Sequence, residues 1–348
     1  MQTHRFFKTA LALCLCLTAA AAEKPSGDPD IIAPDAALEV LYDGAFFSEG
    51  PAVAPDGSVY FSDITFSKYS GMQAGHIMRY DPKTGETSVY RSPSGMSNGL
   101  KFDAQGRLLA CEGADYGGRR VTRTDLKTGK TEIVAGLYEG RPFNAPNDLS
   151  LDEQGRIYFS DPKYLGHEPI DQPIYGVYRI DPDNSVHLII TDAGKPNGVA
   201  VSPDQKSLYV VSNDDGLFAF DRLPEGATSH GGRMALLAYD LHPDGTAAFR
   251  QVLVDYAPQA GPDGLVCDAE GNLYVAVRDT TRYGINVYSP QGKELARIPT
   301  SDLPTNAAFG HGKDLNTLYI TYGGYLRGTK GTLAKIQVKK PGYHLPTK

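Results

Sequence analysis

The sequence predicts an all-β fold, a six-bladed β-propeller with four-stranded blades, on two observations: a hairpin pattern that recurs six times and a composition rich in turn and strand formers. The copies open at Glu49 (EGPAVAPDGSVYFSD), Asn98 (NGLKFDAQGRLLACEG), Asn147 (NDLSLDEQGRIYFSD), Asn197 (NGVAVSPDQKSLYVVSN), Asp263 (DGLVCDAEGNLYVAV) and Asn306 (NAAFGHGKDLNTLYITYG), at intervals of 49, 49, 50, 66 and 43 residues. In each, a run of alternating polarity leads into a Gly or Asp turn and a second alternating run, the period-two pattern of a β-hairpin. The 348 residues include 38 Gly, 24 Pro and 21 Tyr but no Trp. That balance favours many short strands, and it counts against propellers built on Trp-Asp repeats or docking a quinone on Trp motifs.

Residues 1–22 have a basic start at Arg5 and Lys8, an apolar run from Thr9 to Leu17 and small residues Ala19 to Ala22, which is the pattern of a signal peptide for export to the periplasm or outside the cell. The apolar run is too short for a retained membrane helix. Residues 23–36 are expected to be a flexible leader, residues 37–340 the propeller and residues 341–348 a tail with no evident partner. Second hairpins from Gly75, Arg119, Tyr175 and Ile285 complete the four strands of most copies, and the long fourth interval is assigned to an insertion around Leu223 to Arg250. The last copy has only one further strand, Thr332 to Val338, so Ala37 to Tyr42 is expected to supply its outer strand and close the ring. Cys111 and Cys267 fall in blades two and five, too far apart to bridge, and should be free buried thiols.

Charge limits the partners. With 34 Lys+Arg against 41 Asp+Glu the net charge is −7, and −9 once residues 1–22 are removed, so neither nucleic acid nor an anionic membrane surface suits this chain. The first strand of each blade lines the axis of a propeller, and its opening residues Glu49, Asn98, Asn147, Asn197, Asp263 and Asn306 should therefore converge. Asn-Gly and Asp-Gly are ordinary turn formers, but a turn has no need of Glu49, and two acids buried beside an axis call for a cation. Carboxylates and amides without His or Cys suit Ca2+ or, less well, Mg2+ and Mn2+, whereas zinc favours nitrogen or sulfur.

The order Ser-Glu-Gly-Pro, Pro-Asn-Asp, Pro-Asn-Gly and Pro-Asp-Gly at successive blades resembles the gluconolactonase family that includes the senescence marker protein and the luciferin-regenerating enzyme. The resemblance spans residues 37–338, and FNAPNDLSLDEQGRIYFSDPKYLG from Phe143 is similar to its bacterial sugar-lactonase branch. It implies that Glu49, Asn147, Asn197 and Asp263 hold one catalytic divalent cation, Ca2+ first, with Mg2+, Mn2+ or Zn2+ as alternatives. It also implies that Asp263 is the general base, that Asn98 faces substrate, and that a small-molecule lactone is opened to an aldonic acid. Asn306, His167 and Arg119 are further substrate-binding candidates, and Arg278 and Tyr322 join Arg119 as residues that follow inner hairpins near the channel entrance. His311 lies at the opposite end and reads as structural. Two departures bear on substrate identity: Ala145 stands where animal members carry a sugar-gripping Arg, and Gly113 with a longer loop through Asp115 and Tyr116 replaces a His common in bacterial relatives.

Gly-x-Ser-x-Gly, P-loop and dinucleotide fingerprints are absent, and Ser48 reads as a strand-start hydroxyl. Two other readings remain: an ester or organophosphate hydrolase using a similar cation centre, and a non-catalytic ligand-binding propeller with a structural Ca2+.

Overall fold

Strands that are apolar on both faces cannot be buried within one hairpin, and this chain satisfies them by setting six antiparallel sheets around an axis. The computed structural model describes residues 23–214, 216, 231–324 and 328–346. From the axis outward, blade one is Ser48–Val53, Val59–Asp63, His76–Asp81 and Glu86–Arg91, and blade two is Ser97–Phe102, Leu108–Glu112, Arg120–Thr124 and Thr131–Ala135. Blade three is Leu149–Leu151, Ile157–Ser160, Val177–Ile180 and Val186–Ile190, and blade four is Pro196–Val201, Ser207–Asn213, Met234–Leu241 and Ala247–Asp255. Blade five is Leu265–Cys267, Leu273–Val277, Gly284–Tyr288 and Glu294–Pro299. Blade six is Pro304–Phe309, Thr317–Tyr322 and Gly331–Gln337, with Glu39–Ala45 as its outer strand. The expected closure of the ring by an N-terminal strand is thus what the structure shows.

Burial falls from the axis outward. The inner strand Ser48–Val53 is buried at every position, whereas the outer strand Glu86–Arg91 is exposed or half-buried throughout, in keeping with its Glu, Thr, Ser and Arg. The apolar side chains gather between blades rather than within them. Phe61, Met78 and Tyr80 of blade one meet Ala308, Tyr319 and Leu333 of blade six, while Tyr60 and Ile77 on the other face meet Leu100 and Leu108 of blade two. Cys111 lies in the cluster between blades two and three and Cys267 in that between blades four and five, so both thiols are free and buried, as the repeat spacing requires.

Three expectations are corrected. The segment from Met234 to Arg250 is not an insertion: it forms the third strand and the start of the fourth strand of blade four, paired over the length of Ser207–Asn213. Residues 223–230 of that expected insertion, like the export segment 1–22, lie outside the described residues. Residues 23–36 are docked rather than flexible, because Ser26–Gly27 adds a fifth strand to blade five and the side chains of Ile31 and Ile32 fill the cluster between blades five and six. The apolar Ile-Ile pair carries the signal that was overlooked.

The tail is likewise anchored. Ala269 N–H donates to the Pro341 carbonyl and Gly342 N–H to that of Leu315, tying it to blades five and six. The Tyr343 hydroxyl bonds Glu153 at 2.9 Å and accepts from Gln205 at 3.1 Å, which reaches blades three and four. His344 stacks on His311 at 3.7 Å between centroids and donates from Nε2 to the Gly310 carbonyl at 2.7 Å, while Leu345 packs on the cluster of blades two and three. Burial, with His311 alongside, lowers His344 to about 4, so the pair stays neutral. His311 is therefore structural, as expected, and the tail crosses the closed end of the channel. Among the described residues no helix is long and apolar enough to cross a membrane.

Removing residues 341–348 should lower the unfolding midpoint in calorimetry by several degrees, roughly 2 °C for each kcal/mol lost in a chain of this size. An unchanged midpoint would show that the strap carries no stability.

Candidate functional site

At the open end of the channel the inner strands begin so close together that backbone bonds run from blade to blade. Gly99 N–H donates to the Asn147 carbonyl at 2.7 Å, Gly198 to Asp263 at 3.1 Å and Gly264 to Thr305 at 2.7 Å. The Ser62 hydroxyl bonds the Asn98 carbonyl at 2.7 Å, and that of Ser160 bonds the Asn197 carbonyl. A Cβ on Gly50 would stand 2.1 Å from the Asn98 carbonyl oxygen, and one on Gly264 would stand 2.0 Å from Asn306 Cγ. The Gly of these pairs thus serves close approach rather than a turn.

This bonding pattern also corrects the register of blade six. The residue whose carbonyl accepts the neighbouring Gly N–H is Thr305, so Thr305 heads the blade and Asn306 sits one step deeper, level with Gly264 and Asp148. Asn306 Oδ1 accepts from Ala307 N–H at 2.8 Å and its Nδ2 faces Asp148 Oδ2 at 3.4 Å, beneath the cavity rather than in it. The overlooked signal is the proline before the heads of blades three, four and five: Pro146, Pro196 and Pro262 align with Pro304, not with Thr305.

The other five heads line one cavity of about 360 Å³, whose floor is Glu49, Asn98, Asn147, Asn197 and Asp263. Its wall over blades one to three is largely apolar, formed by Phe47, Ile64, Phe66, Met96, Ala145 and Leu165. The Tyr-Phe-Ser-Asp ends of two second strands hold the segments that carry these residues. Asp63 accepts from Phe46 and Phe47 N–H at 2.7 and 3.0 Å, and Asp161 from Asn144 and Ala145 N–H at 2.8 and 2.7 Å. Burial pushes Asp161 up to about 7 even against those two bonds.

Electrostatically the floor is crowded with acids. Glu49 is 3% exposed and its carboxyl lies well above the usual range, first through burial and then through the charges of Asp263 and Asp148; the Gly50 N–H at 2.7 Å opposes this. Burial pushes Asp263 up to about 6, opposed by Arg278, whose Nη1 lies 3.2 Å from Asp263 Oδ2, and by the Asn197 amide. Asn197 Nδ2 also reaches the Tyr164 hydroxyl at 3.3 Å. Asp148, Tyr164 and the apolar wall were not found from sequence; the Asp that replaces the repeat's Gly in Pro-Asn-Asp was the visible signal for the first, and irregular loops hid the others.

A divalent cation fits this donor set. Oxygen donors from two acids and two amides, Glu49, Asp263, Asn147 and Asn197, meet where buried carboxylates disfavour their own ionisation, which a cation would reverse. Among the described residues no three His, Cys, Asp or Glu side chains gather as metal ligands, and the donors on the floor are two carboxylates and amides.

Three entrance candidates lie elsewhere. Arg119, at a φ of +50°, turns away, its Nε bonded to the Phe143 carbonyl at 2.6 Å and its Nη2 to Asp171 at 2.7 Å. Tyr322 is buried between blades five and six. His167 lies on the rim, 3.7 Å from Asp115 and stacked near Tyr116, rather than in the cavity. There Asp115 accepts from Ser67 N–H and hydroxyl at 2.5 and 2.6 Å, and Glu168 accepts from Asp115 and Tyr116 N–H at 3.0 and 2.6 Å. The loops of blades one, two and three are so clasped together, with Phe66, Met96, Asp115, Tyr116 and Arg119 all held at positive φ.

A family model described as "SMP-30/Gluconolactonase/LRE-like region" matches residues 47–323, and the chain belongs to that family. A gluconolactonase of Zymomonas mobilis is 30% identical over 301 residues, covering 78% of this chain and 76% of its own. A pentonolactonase of Haloferax volcanii is 29% identical over 287 residues, covering 79% and 81%. A solved gluconolactonase structure from Xanthomonas campestris aligns with a TM-score of 0.73 at 26% identity, covering 92% of this chain and 96% of that one.

Because burial and the neighbouring acids disfavour its ionisation, Glu49→Gln in chelator at pH 7.5 should melt no lower than the parent protein. A lower midpoint would mean that the ionised Glu49 is stabilising by itself.

Proposed function

From the chain's place in that family, we propose that it hydrolyses a sugar lactone to the aldonic acid, with one divalent cation, Ca2+ first, held by Glu49, Asn147, Asn197 and Asp263. The convergence of these two acids and two amides on the floor of one open cavity carries the reading. The names of the gluconolactonase and pentonolactonase relatives support it. A bound cation would supply Lewis acidity that polarises the ester carbonyl and offsets the charge developing on its oxygen.

The rest falls to the chain's own side chains. Asp263 takes the proton from the attacking water, and the Asn197 amide and the Arg278 guanidinium fix the direction of its carboxylate. Asn98 and Asn147 offer amide donors and acceptors to lactone hydroxyls. No covalent nucleophile is needed, and the obvious ones are engaged elsewhere. The Ser48 hydroxyl bonds the backbone of blade six at Thr332 and Tyr322, and burial raises both thiols, Cys267 to about 12. The export segment, and with it a periplasmic or secreted location, belongs to the same proposal.

The apolar wall of Phe47, Ile64, Phe66 and Leu165 also favours a second reading, hydrolysis of less polar esters or phosphotriesters at the same floor. Proton release from aldono-1,4- and 1,5-lactones, beside an aryl ester and a phosphotriester, separates the two.

With Ca2+ restored to metal-stripped protein, lactone opening should return, and Asp263→Asn should lower kcat by roughly 10²–10⁴ as expected for loss of a general base. Burial pushes Asp263 up to about 6 in the cation-free site and a cation favours its carboxylate, so the rate of the Ca2+-loaded protein should fall on an acid limb below about pH 6. A lactonase activity that survives Asp263→Asn, or an acid limb above pH 7, excludes this base.

A further inference from the structure

Among the described residues, Arg278 is the one cationic side chain that lines the cavity. The other arginines on the neighbouring loops are spent on protein partners. Arg119 bonds two carbonyls and Asp171, and Arg91 and Arg120 both close on Glu112 at 2.9 and 2.7 Å. Arg278 differs in having a single hydrogen-bonded protein partner among the described residues, Asp263, at a distance of 3.2 Å that is long for a charge-assisted bond. Its side chain is 28% exposed, whereas that of Asp263 is 5% exposed. The guanidinium therefore stands between the base and the open cavity with most of its five N–H donors available. Across from it are Ala145, Met96 and Leu165, which offer no side-chain N–H donor.

A planar fork of N–H donors is matched by a carboxylate, sulfonate or phosphate far better than by a lone hydroxyl. We propose that Arg278 binds an anionic group of the substrate, so that the preferred lactone carries a carboxylate, sulfonate or phosphate on the part of the molecule away from the ring carbonyl. The inference rests on the lactonase reading and narrows its substrate class. A cavity of about 360 Å³ accommodates a six-carbon lactone with such a substituent.

Glucono-1,4-lactone and glucaro-1,4-lactone test it, since they differ only by a hydroxymethyl group against a carboxylate. The parent protein should favour the glucarolactone by about tenfold or more in kcat/KM, chiefly through KM. In Arg278→Gln that ratio should collapse, and Arg278→Lys should keep part of it. Any change that the variant causes at Asp263 acts on both lactones and cancels in the ratio. A ratio that Arg278→Gln leaves untouched, or a parent protein that opens gluconolactone without preferring glucarolactone, overturns the proposal while the lactonase reading stands. Calorimetric binding of glucarate and of the uncharged glucitol, in chelator, supplies a readout without turnover. Tighter binding of glucarate by the parent but not by Arg278→Gln supports the anion site even if neither lactone is opened, and equal binding overturns it.

Discussion

No blade of this molecule can bury its own faces. Most inner and middle strands bury residues on both sides, and each side is covered by the next blade, so the six interblade clusters depend on closure of the ring. Opening the ring at one place would expose two of these faces, at about 1.5–3 kcal/mol for each large side chain uncovered. Closure is accordingly reinforced where the chain is discontinuous. Glu39–Ala45 pairs with Gly331–Gln337, and the Ser48 hydroxyl and Thr332 N–H bond across the same seam.

The site is a consequence of that closure. Six strands that must start around one axis bring their first residues within bonding range, and Gly at the next position removes the side chains that would hold them apart. Blades three and six break the glycine rule with Asp148 and Asn306, and those two side chains fill the axis directly below the floor. The result is a layer of acids, Glu49 and Asp263 above Asp148, whose mutual repulsion is maintained by the surrounding packing and not relieved by it. The strap of residues 341–346 crosses the other end of the channel.

How much of this was legible in the sequence follows the same physics. Strands repeat because the pleat repeats, so blade number, ring closure and the convergence of Glu49, Asn98, Asn147, Asn197 and Asp263 could all be read from period and spacing. The slip at Asn306 arose because an Asn was matched to other Asn residues, while the structural invariant of the position is the backbone carbonyl that accepts a neighbouring N–H. The segment Leu223 to Arg250 reads as an insertion because it is rich in Gly, Pro and polar residues, which hides the strand Met234–Leu241 and the start of Ala247–Asp255. Loops carry no period at all, so the turn of Arg119 away from the entrance and the rim position of His167 could not be read there, while Tyr322, the last residue of a strand, packs between blades five and six.

That division separates chemistry from selectivity in the molecule itself. The floor is made by strand starts whose positions the closed ring dictates, so its donors are constrained by the fold. The walls are made by loops, and their shape is set by unusual local means: five non-glycine residues at positive φ, an Asp115 that joins three blades, and an Ala145 that offers no side-chain donor. Bulky residues such as Phe66 and Met96 occupy that backbone region only when their surroundings over-determine it, at a cost of order 1–3 kcal/mol each. The apolar clasp over blades one to three is thus a rigid surface against which substrate must fit. Polar recognition beyond the floor then falls to the opposite side, where Arg278 is already aligned with Asp263.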